Sequence, residues 1–238
     1  MKKSIEPIAH FRSPLSTKFG LPRQSGLVSR LPGRIVFTPA YRRPEAVRGL
    51  EDFDYAWLIW GFSENPPASS LTVRPPRLGG NERVGVFASR SPFRPNGLGL
   101  SAVRIERMEP GGDIIVRGAD LMDGTPIYDI KPYVAEADAH PEARSGFVDR
   151  RQWQRLKVVW DKETGQDSSG DEKLKNSSGN EWWAVLEELL SLDPRPHYHE
   201  SADRIYGMPY DGFDVRFRVV GDELHVLSIV KISGENQK

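Results

Sequence analysis

The sequence lacks two features that would each define a class of protein. It contains no cysteine, which excludes disulfides, thiolate nucleophiles and cysteine-based zinc sites. Its longest apolar run, Ala56-Trp-Leu-Ile-Trp60, is far too short to cross a membrane and suits a buried strand. The first residues lead into no long apolar region, so no signal peptide is expected. We therefore expect a cytoplasmic protein with no membrane partner.

The formal net charge is zero, but positive and negative residues are unevenly distributed along the chain. Residues 1–100 carry 15 Lys and Arg against 7 Asp and Glu, whereas residues 101–238 carry 18 against 26. The arginine-rich first half favours an anionic partner, such as RNA or a phosphorylated or carboxylate ligand. The alternative is that these arginines pair with acids of the second half, and the charge balance alone does not separate the two interpretations.

Two common cofactor patterns are incomplete. His197 and His199 could share one strand face, but no third ligand has a suitable spacing, so no metal is expected. The run Gly97-Leu-Gly-Leu-Ser-Ala102 fits the dinucleotide pattern G-x-G-x-x-A. That pattern needs a preceding buried strand and a following helix, whereas here an Arg/Pro loop precedes it and a strand-like alternation follows. The sequence thus argues against a Rossmann domain.

The first half of the chain predicts a mainly β domain. Short runs of β-forming residues are separated by turns rich in Gly, Pro, Asn and Asp. The predicted strands cover residues 5–11, 34–38, 55–62, 83–88, 98–107, 113–119 and 127–133. Many short strands with few helices indicate a sheet that closes into a barrel, which we assign to residues 1–150.

The second half, residues 151–238, predicts a small α+β domain. Apolar residues recur at helical spacing over 181–192, and Phe213, Val215, Phe217 and Val219 alternate with polar residues as in a half-buried strand. Further strands are predicted over 152–160 and 223–232. Residues 161–180 are rich in Ser, Gly, Asp and Lys, which is typical of a flexible insertion.

The densest functional pattern is Arg90-Ser-Pro-Phe-Arg-Pro-Asn-Gly-Leu-Gly-Leu-Ser101. Proline fixes φ and glycine permits close approach, while arginine presents a planar fork to carboxylate or phosphate. This composition is typical of an anion-binding or catalytic loop. A second stretch, Val73-Arg-Pro-Pro-Arg-Leu-Gly-Gly80, places two arginines on a stiffened segment that could contact phosphates or could be plain surface.

The third pattern is Asp120-Leu-Met-Asp-Gly-Thr-Pro-Ile-Tyr-Asp-Ile-Lys-Pro-Tyr133. It combines an Asp-Gly turn with Asp129, Lys131 and Tyr133, which share one face of a predicted strand. A carboxylate, an ammonium group and a phenol on one face can transfer protons, although an ordinary exposed hairpin would also fit.

These motifs resemble, in order, those of the TrmO family, also called YaeB or TsaA-like. The resemblance rests on Pro22-Arg-Gln24, Ala46-Val-Arg-Gly-Leu-Glu51, the 73–81 and 85–96 segments, and Asp123-Gly-Thr-Pro-Ile-Tyr-Asp-Ile-Lys-Pro-Tyr133. Asp193-Pro-Arg-Pro-His-Tyr198 and Tyr206…Phe213-Asp-Val-Arg216 resemble the family's C-terminal domain. The resemblance implies a single-sheet β-barrel that dimerises and uses S-adenosyl-L-methionine to methylate the exocyclic nitrogen of threonylcarbamoyladenosine next to the tRNA anticodon.

The resemblance also implies a site. Carried over by motif, the donor pocket would involve Pro22, Arg23, Gln24, Phe62, Ser63, Arg90, Leu100, Leu121, Met122, Asp123, Gly124 and Thr125. Ser63 departs from the histidine of some relatives. We hypothesise that Asp129 assists deprotonation, that Lys131 and Tyr133 orient this base or the threonyl carboxylate of the substrate, and that RNA is contacted by Arg74, Arg77 and Arg94. The alternatives are a methyltransferase of this fold with another substrate and a non-catalytic RNA-binding module.

Overall fold

The computed structural model describes residues 4–66, 70–75, 82–150, 154–160, 180–195 and 203–232. In these ranges the strands are β1 (Ala9–Arg12), β2 (Pro32–Phe37), β3 (Tyr55–Gly61), β4 (Thr72–Val73), β5 (Val84–Gly85), β6 (Leu98–Met108), β7 (Ile114–Arg117), β8 (Pro126–Pro132), β9 (Lys157–Trp160), β10 (Tyr206–Tyr210), β11 (Phe213–Val220) and β12 (Glu223–Lys231). The helices are α1 (Pro44–Val47), α2 (Ala135–Asp138) and α3 (Glu181–Ser191), with 3₁₀ turns at Leu50–Asp52, Val86–Ala88 and Gly146–Arg150. None of the helices in the described ranges has the length and apolar character that a membrane span requires.

Six strands close into a barrel in the order β1-β2-β7-β6-β3-β8. Closure is complete because β8 pairs with both β3 and β1, each antiparallel. Neighbouring strands alternate in direction, so β1, β3 and β7 end where β2, β6 and β8 begin. The loops that follow β1, β3 and β7 therefore meet at one end of the barrel.

Strand alternation explains the barrel core. Along β2 every second residue, including Ile35 and Phe37, points inward and is buried. Gly33 is required beside Phe11, because an added Cβ would lie 2.1 Å from the Phe11 ring. The remaining core residues are large aliphatic and aromatic side chains, among them Leu58, Trp60, Val103, Ile114, Val116, Leu121 and Ile127.

The second half forms a four-stranded sheet in the order β10-β11-β12-β9, on which α3 packs. Phe213, Val215, Phe217 and Val219 of β11 are buried, as their alternation predicts. Helix α3 begins after Asn180, whose side-chain oxygen accepts a 3.1 Å hydrogen bond from the Trp182 backbone N–H. Its buried face consists of Val185, Leu186, Leu189 and Leu190.

The prediction of a mainly β fold, with a closed barrel and a small α+β part, is confirmed. Strand β10 is absent from the predicted set because Gly207 and Pro209 interrupt its β pattern. Only Val84–Gly85 of the predicted strand 83–88 is extended; a 3₁₀ turn follows it. The insertion at 161–180 lies outside the described residues apart from Asn180.

Candidate active site

A cavity of about 650 Å³ lies at the barrel end where β6 begins and β3 ends. Its walls come from the loop after β1, the end of β3, the loop between β5 and β6, the start of β6, and the segment between β7 and β8. Pockets of this volume hold small-molecule ligands and cofactors. Because the loop between β5 and β6 runs directly into β6, the barrel thus brings four continuous chain segments, rich in arginine, glycine and aromatic residues, around one space.

Most of the residues that the resemblance assigns to the donor pocket line this cavity. They are Pro22, Arg23, Gln24, Phe62, Ser63, Arg90, Leu100, Met122 and Thr125. Three others lie elsewhere. The side chain of Leu121 is buried in the barrel core, Asp123 pairs with Arg12 at 3.3 Å and accepts a hydrogen bond from the Ser13 N–H, and the Gly124 N–H donates to the Phe11 carbonyl. These three residues shape the turn that presents Met122 and Thr125.

The loop between β5 and β6 is held together from within by Arg94. The Arg94 guanidinium donates to the Ser89 carbonyl at 2.8 Å and to the Val86 carbonyl at 3.4 Å. Ser89 reinforces this turn by donating its hydroxyl to the same Val86 carbonyl at 2.9 Å. Arg94 is half-buried and lines the cavity. Its hydrogen bonds stabilise its own loop, so its position favours a structural role over contact with an RNA phosphate.

Arg90 connects two walls of the cavity. Its guanidinium donates a hydrogen bond to the side-chain oxygen of Gln24, which lies on the loop after β1. The Arg90 side chain remains exposed, so its other N–H groups are available to an anion. A guanidinium can bind a carboxylate through two parallel hydrogen bonds, which suits the carboxylate of an amino-acid ligand.

A buried carboxylate forms part of the cavity wall. Asp120 accepts a 2.6 Å hydrogen bond from the Ser101 hydroxyl, and Ser101 accepts one of 2.9 Å from the Trp60 indole N–H. Burial raises the pKa of Asp120 above its ordinary value of 3.8, although the hydrogen bonds from Ser101 and backbone N–H groups and the charge of Arg90 oppose the shift. The cavity therefore contains an acceptor suited to an amino group.

An aromatic corner faces the same space. The rings of Trp60 and Phe62 meet edge to face with centroids 4.3 Å apart. Gly99 on β6 makes room for the indole, because an added Cβ would lie 2.3 Å from Cε2 of Trp60. Aromatic faces attract cations, so this corner suits a positively charged group or a flat heterocycle.

The predicted proton-transfer group lies outside the cavity walls. Asp129 and Lys131 share the outer face of β8, with Lys131 Nζ 3.4 Å from Asp129 Oδ2, and Tyr133 lies just beyond the end of the strand at Pro132. The Tyr133 ring packs on Trp57 with centroids 5.5 Å apart, and Trp57 lines the cavity. The group therefore lies beside the cavity, and none of its three side chains lines the cavity wall.

The three predicted RNA contacts differ in their surroundings. Arg74 is exposed just after β4, whereas Arg94 is held inside its loop. Arg77 lies outside the described residues. Across the described part of the chain, no cluster of three or more His, Cys, Asp and Glu side chains could hold a metal ion.

Sequence reasoning missed Trp57, Trp60, Ser101 and Asp120 as residues of the site. Gly99 offered a signal, because a glycine inside a strand marks a close approach of another group. Nothing in the local sequence of Ser101 or Trp60 distinguishes them from ordinary strand residues. Their contact depends on the pairing of β3 with β6, which only the closed barrel establishes.

The fold and the cavity define a barrel protein with a ligand site built by the loops at one barrel end. The residues fit S-adenosylmethionine: Arg90 suits its carboxylate, Asp120 an amino group, and the Trp60–Phe62 corner its sulfonium or adenine. This match rests on the donor set of the cavity and on its aromatic corner, which Gly99 permits by making room for the Trp60 indole.

The chain belongs to the tRNA-methyltransferase O family. The model of that family's N-terminal domain matches residues 10–139, and the model of its C-terminal domain matches residues 154–232. Among its relatives are a putative S-adenosylmethionine-dependent methyltransferase RcsF of Pseudomonas aeruginosa, 36% identical over 98% of this chain and 99% of that protein, and the tRNA (adenine(37)-N6)-methyltransferase of Escherichia coli, 36% identical over 94% and 97%. The crystal structure of TrmO from Pseudomonas aeruginosa matches with a TM-score of 0.79 and 32% identity, covering 97% of this chain and 99% of that one.

Proposed function

We propose that this protein is a tRNA methyltransferase that uses S-adenosylmethionine to methylate the exocyclic nitrogen of threonylcarbamoyladenosine next to the anticodon. The observation that carries the proposal is the cavity, which joins the exposed Arg90 guanidinium, a buried carboxylate and an aromatic corner in one space. The names of its relatives supply the reaction class. Such an enzyme acts on tRNA in the cytoplasm.

The cavity residues would hold the methyl donor in a fixed orientation. When bound, S-adenosylmethionine would supply a methyl group attached to a positively charged sulfur. A nitrogen nucleophile can attack the methyl carbon, and the sulfur then leaves as a neutral thioether. Arg90, steadied by Gln24, binds a carboxylate, while Trp60 and Phe62 exclude water and face the positive charge. Holding the reactants in line accounts for much of the acceleration in reactions of this kind.

The chain must also take a proton from the substrate nitrogen, which is poorly nucleophilic. We assign this task to Asp129, with Lys131 paired to its carboxylate at 3.4 Å and Tyr133 packed on Trp57 beside the cavity. Asp120 is the competing candidate, because it lies in the cavity wall and burial raises its pKa. The two carboxylates differ in position, so single substitutions separate them.

We further propose that the protein acts as a homodimer. Large apolar side chains are exposed on the elements around the cavity: Phe87 at 76%, Leu100 at 59% and Phe93 at 45%. Exposed apolar side chains concentrated in one region mark an interaction surface. A second copy covering them would bring further groups to the rim. Sedimentation of the wild type and of Phe87→Asp tests this, since a monomeric wild type would reject the dimer.

The division into a barrel domain (1–150) and a C-terminal domain (151–238) also stays a prediction, as does the role of the 161–180 insertion. The two sheets with separate hydrophobic clusters support the division.

Mass analysis of tRNA nucleosides, with and without the purified protein and S-adenosylmethionine, tests the activity. We expect a methylated threonylcarbamoyladenosine only when both are present. Asp129→Asn should lower turnover by roughly 10²–10⁴-fold while calorimetry shows unchanged donor binding. Full turnover in Asp129→Asn, with loss in Asp120→Asn at saturating S-adenosylmethionine, would transfer the base role to Asp120. Failure of the wild type to bind the donor would favour an RNA-binding module instead.

A further inference from the structure

The loop between β1 and β2 has two faces that serve different parts of the molecule. One face lines the cavity with Lys18, Leu21, Pro22, Arg23, Gln24 and Ser25. The other belongs to the core of the C-terminal sheet, where Leu15, Val28 and Leu31 are each at most 2% exposed. Leu21 takes part in both, because it lines the cavity and also packs against that core.

The contacts of this loop with the sheet are specific. The Phe19 ring lies nearly parallel to Phe217 and to Tyr206, with centroids 6.4 and 6.5 Å apart. Next to it, Gly20 adopts φ +88°, and an added Cβ would lie 2.4 Å from Sδ of Met208 on β10. Phe19 and Gly20 therefore fit closely against β10 and β11, between the cavity-lining residues Lys18 and Leu21.

Hydrogen bonds connect the loop to both halves of the molecule. On the C-terminal side the Asp211 N–H donates to the Pro14 carbonyl at 2.8 Å, and the Arg155 guanidinium donates to the Leu27 carbonyl at 3.0 Å. On the barrel side the Asp123 N–H donates to the Leu15 carbonyl and the Gly118 N–H to the Leu31 carbonyl, both at 2.9 Å. Residues 13–31 contain neither helix nor strand. Ordering so long a loop costs conformational entropy, roughly 1–2 kcal/mol for each residue fixed, which contacts outside the loop must offset.

We infer that the C-terminal sheet is a positioning element for methyl-donor binding. It orders residues 13–31, so that Arg23 and Gln24 already occupy their places in the cavity wall before the donor binds. Phe19 and Met208 are its positioning residues. The inference rests on the proposed function for the identity of the donor. A loop ordered before the ligand arrives spares the ligand the cost of ordering it, which appears as tighter binding.

The direct test compares Phe19→Ala with a matched core substitution. We expect Phe19→Ala to raise the dissociation constant of S-adenosylmethionine about tenfold. In the variant, binding must itself order loop side chains that Phe19 holds in place in the wild type, and each ordered side chain costs on the order of 1 kcal/mol of binding free energy. Phe19→Leu, which retains an apolar side chain at this position, should restore most of the affinity. Leu224→Ala is the control: Leu224 is fully buried in the same core on β12, and its loss lowers the melting temperature without changing donor affinity.

Hydrogen exchange on the ligand-free protein separates this inference from the proposed function. In Phe19→Ala, and independently in Met208→Ala, amides of residues 18–27 should exchange faster, whereas those of β3 and β6 should not. This result is expected even if S-adenosylmethionine is not the ligand. A folded Phe19→Ala with wild-type donor affinity and wild-type exchange in the loop would overturn the inference, as would an equal loss of affinity in Leu224→Ala.

Discussion

Asp120 shows, at the scale of one residue, how a ligand site lowers the stability of the protein that carries it. Its carboxyl is mostly buried beside Ser101, and burial raises its pKa above the ordinary 3.8. A raised pKa means that the folded protein binds this proton more tightly than the unfolded chain does. The stability that protonated Asp120 contributes is present below pH 3.8 and is lost as the pH rises through the raised pKa.

Asp120→Asn should therefore make the protein more stable at neutral pH while weakening donor binding. Asparagine has the same shape, can still accept the Ser101 hydrogen bond and carries no charge to desolvate. The free energy of unfolding of the variant, relative to the wild type, should increase from pH 4 towards pH 8. Denaturant unfolding at several pH values measures this difference.

A control at Ser101 follows from the same contact. The Ser101 hydroxyl lowers the pKa of Asp120, so Ser101→Ala should move the pH dependence to higher pH. A stability difference between wild type and Asp120→Asn that stays flat over pH 4 to 8 would show that this carboxyl does not titrate differently in the folded state.

At the scale of the elements, Arg117 joins three parts of the structure. At the end of β7 it makes two hydrogen bonds to Glu106 of β6, at 2.7 and 3.1 Å, and donates to Glu181 at the start of α3 and to the Arg30 carbonyl, both at 2.9 Å. The hydrogen bond from Arg117 lowers the pKa of Glu106. This stabilisation is present above about pH 4.5 and is lost as the pH falls through the lowered pKa.

Arg117→Ala should lower the free energy of unfolding by roughly 1–3 kcal/mol at pH 7, because Glu106 and the Arg30 carbonyl lose their partner. The loss should shrink as the pH falls below 4.5. Arg107→Ala is the control, since Arg107 is 59% exposed and only 3.6–3.8 Å from its acidic neighbours, and should change stability by less than about 0.5 kcal/mol. Equal effects of the two substitutions at pH 7 would contradict a joining role for Arg117.

The strands of both sheets were largely predictable from sequence because each buries one face. The alternation in β11 and the apolar run of β3 gave bounds within one or two residues of the structure. The loops were not predictable in the same way. Leu15, Val28 and Leu31 show no periodic pattern, so nothing local indicates that they belong to the core of the C-terminal sheet.

The site was predictable only in part for a related reason. The family resemblance assigned Pro22, Arg23, Gln24 and Arg90 to the donor pocket, and these residues line the cavity. Asp120 opens the 120–133 pattern but received no role there, and Trp60 resembles an ordinary strand residue, since an indole and a carboxylate linked through Ser101 require three strands or strand ends to meet. The outer-face position of Asp129 follows from the register of β8 with β3, which the sequence does not specify.

At the scale of the whole molecule, the charge asymmetry is partly resolved by internal pairing. Four arginines of the first half pair with acids of the second: Arg12 with Asp123, Arg30 with Glu188, Arg34 with Glu109 and Asp113, and Arg42 with Asp113. The alternative of internal pairing thus holds for these four. Arg43, Arg48, Arg74, Arg83 and Arg90, by contrast, are exposed at the surface, and Arg90 lines the cavity. These exposed arginines of the first half are the positive charges that RNA phosphates can reach.

This separation predicts different salt dependences for two arginine variants. Arg74→Ala should weaken tRNA binding and reduce the slope of log affinity against log salt by about one, because one phosphate contact is lost. Arg42→Ala should leave that slope unchanged, since Arg42 donates to buried Asp113 at 2.7 Å at the opposite end of the barrel, and should lower stability instead. Binding titrations at several salt concentrations, with unfolding curves for both variants, measure the two effects. If Arg42→Ala changed the slope as much as Arg74→Ala, Arg42 would contact RNA despite its pairing with Asp113, and internal pairing would not separate structural from RNA-binding arginines.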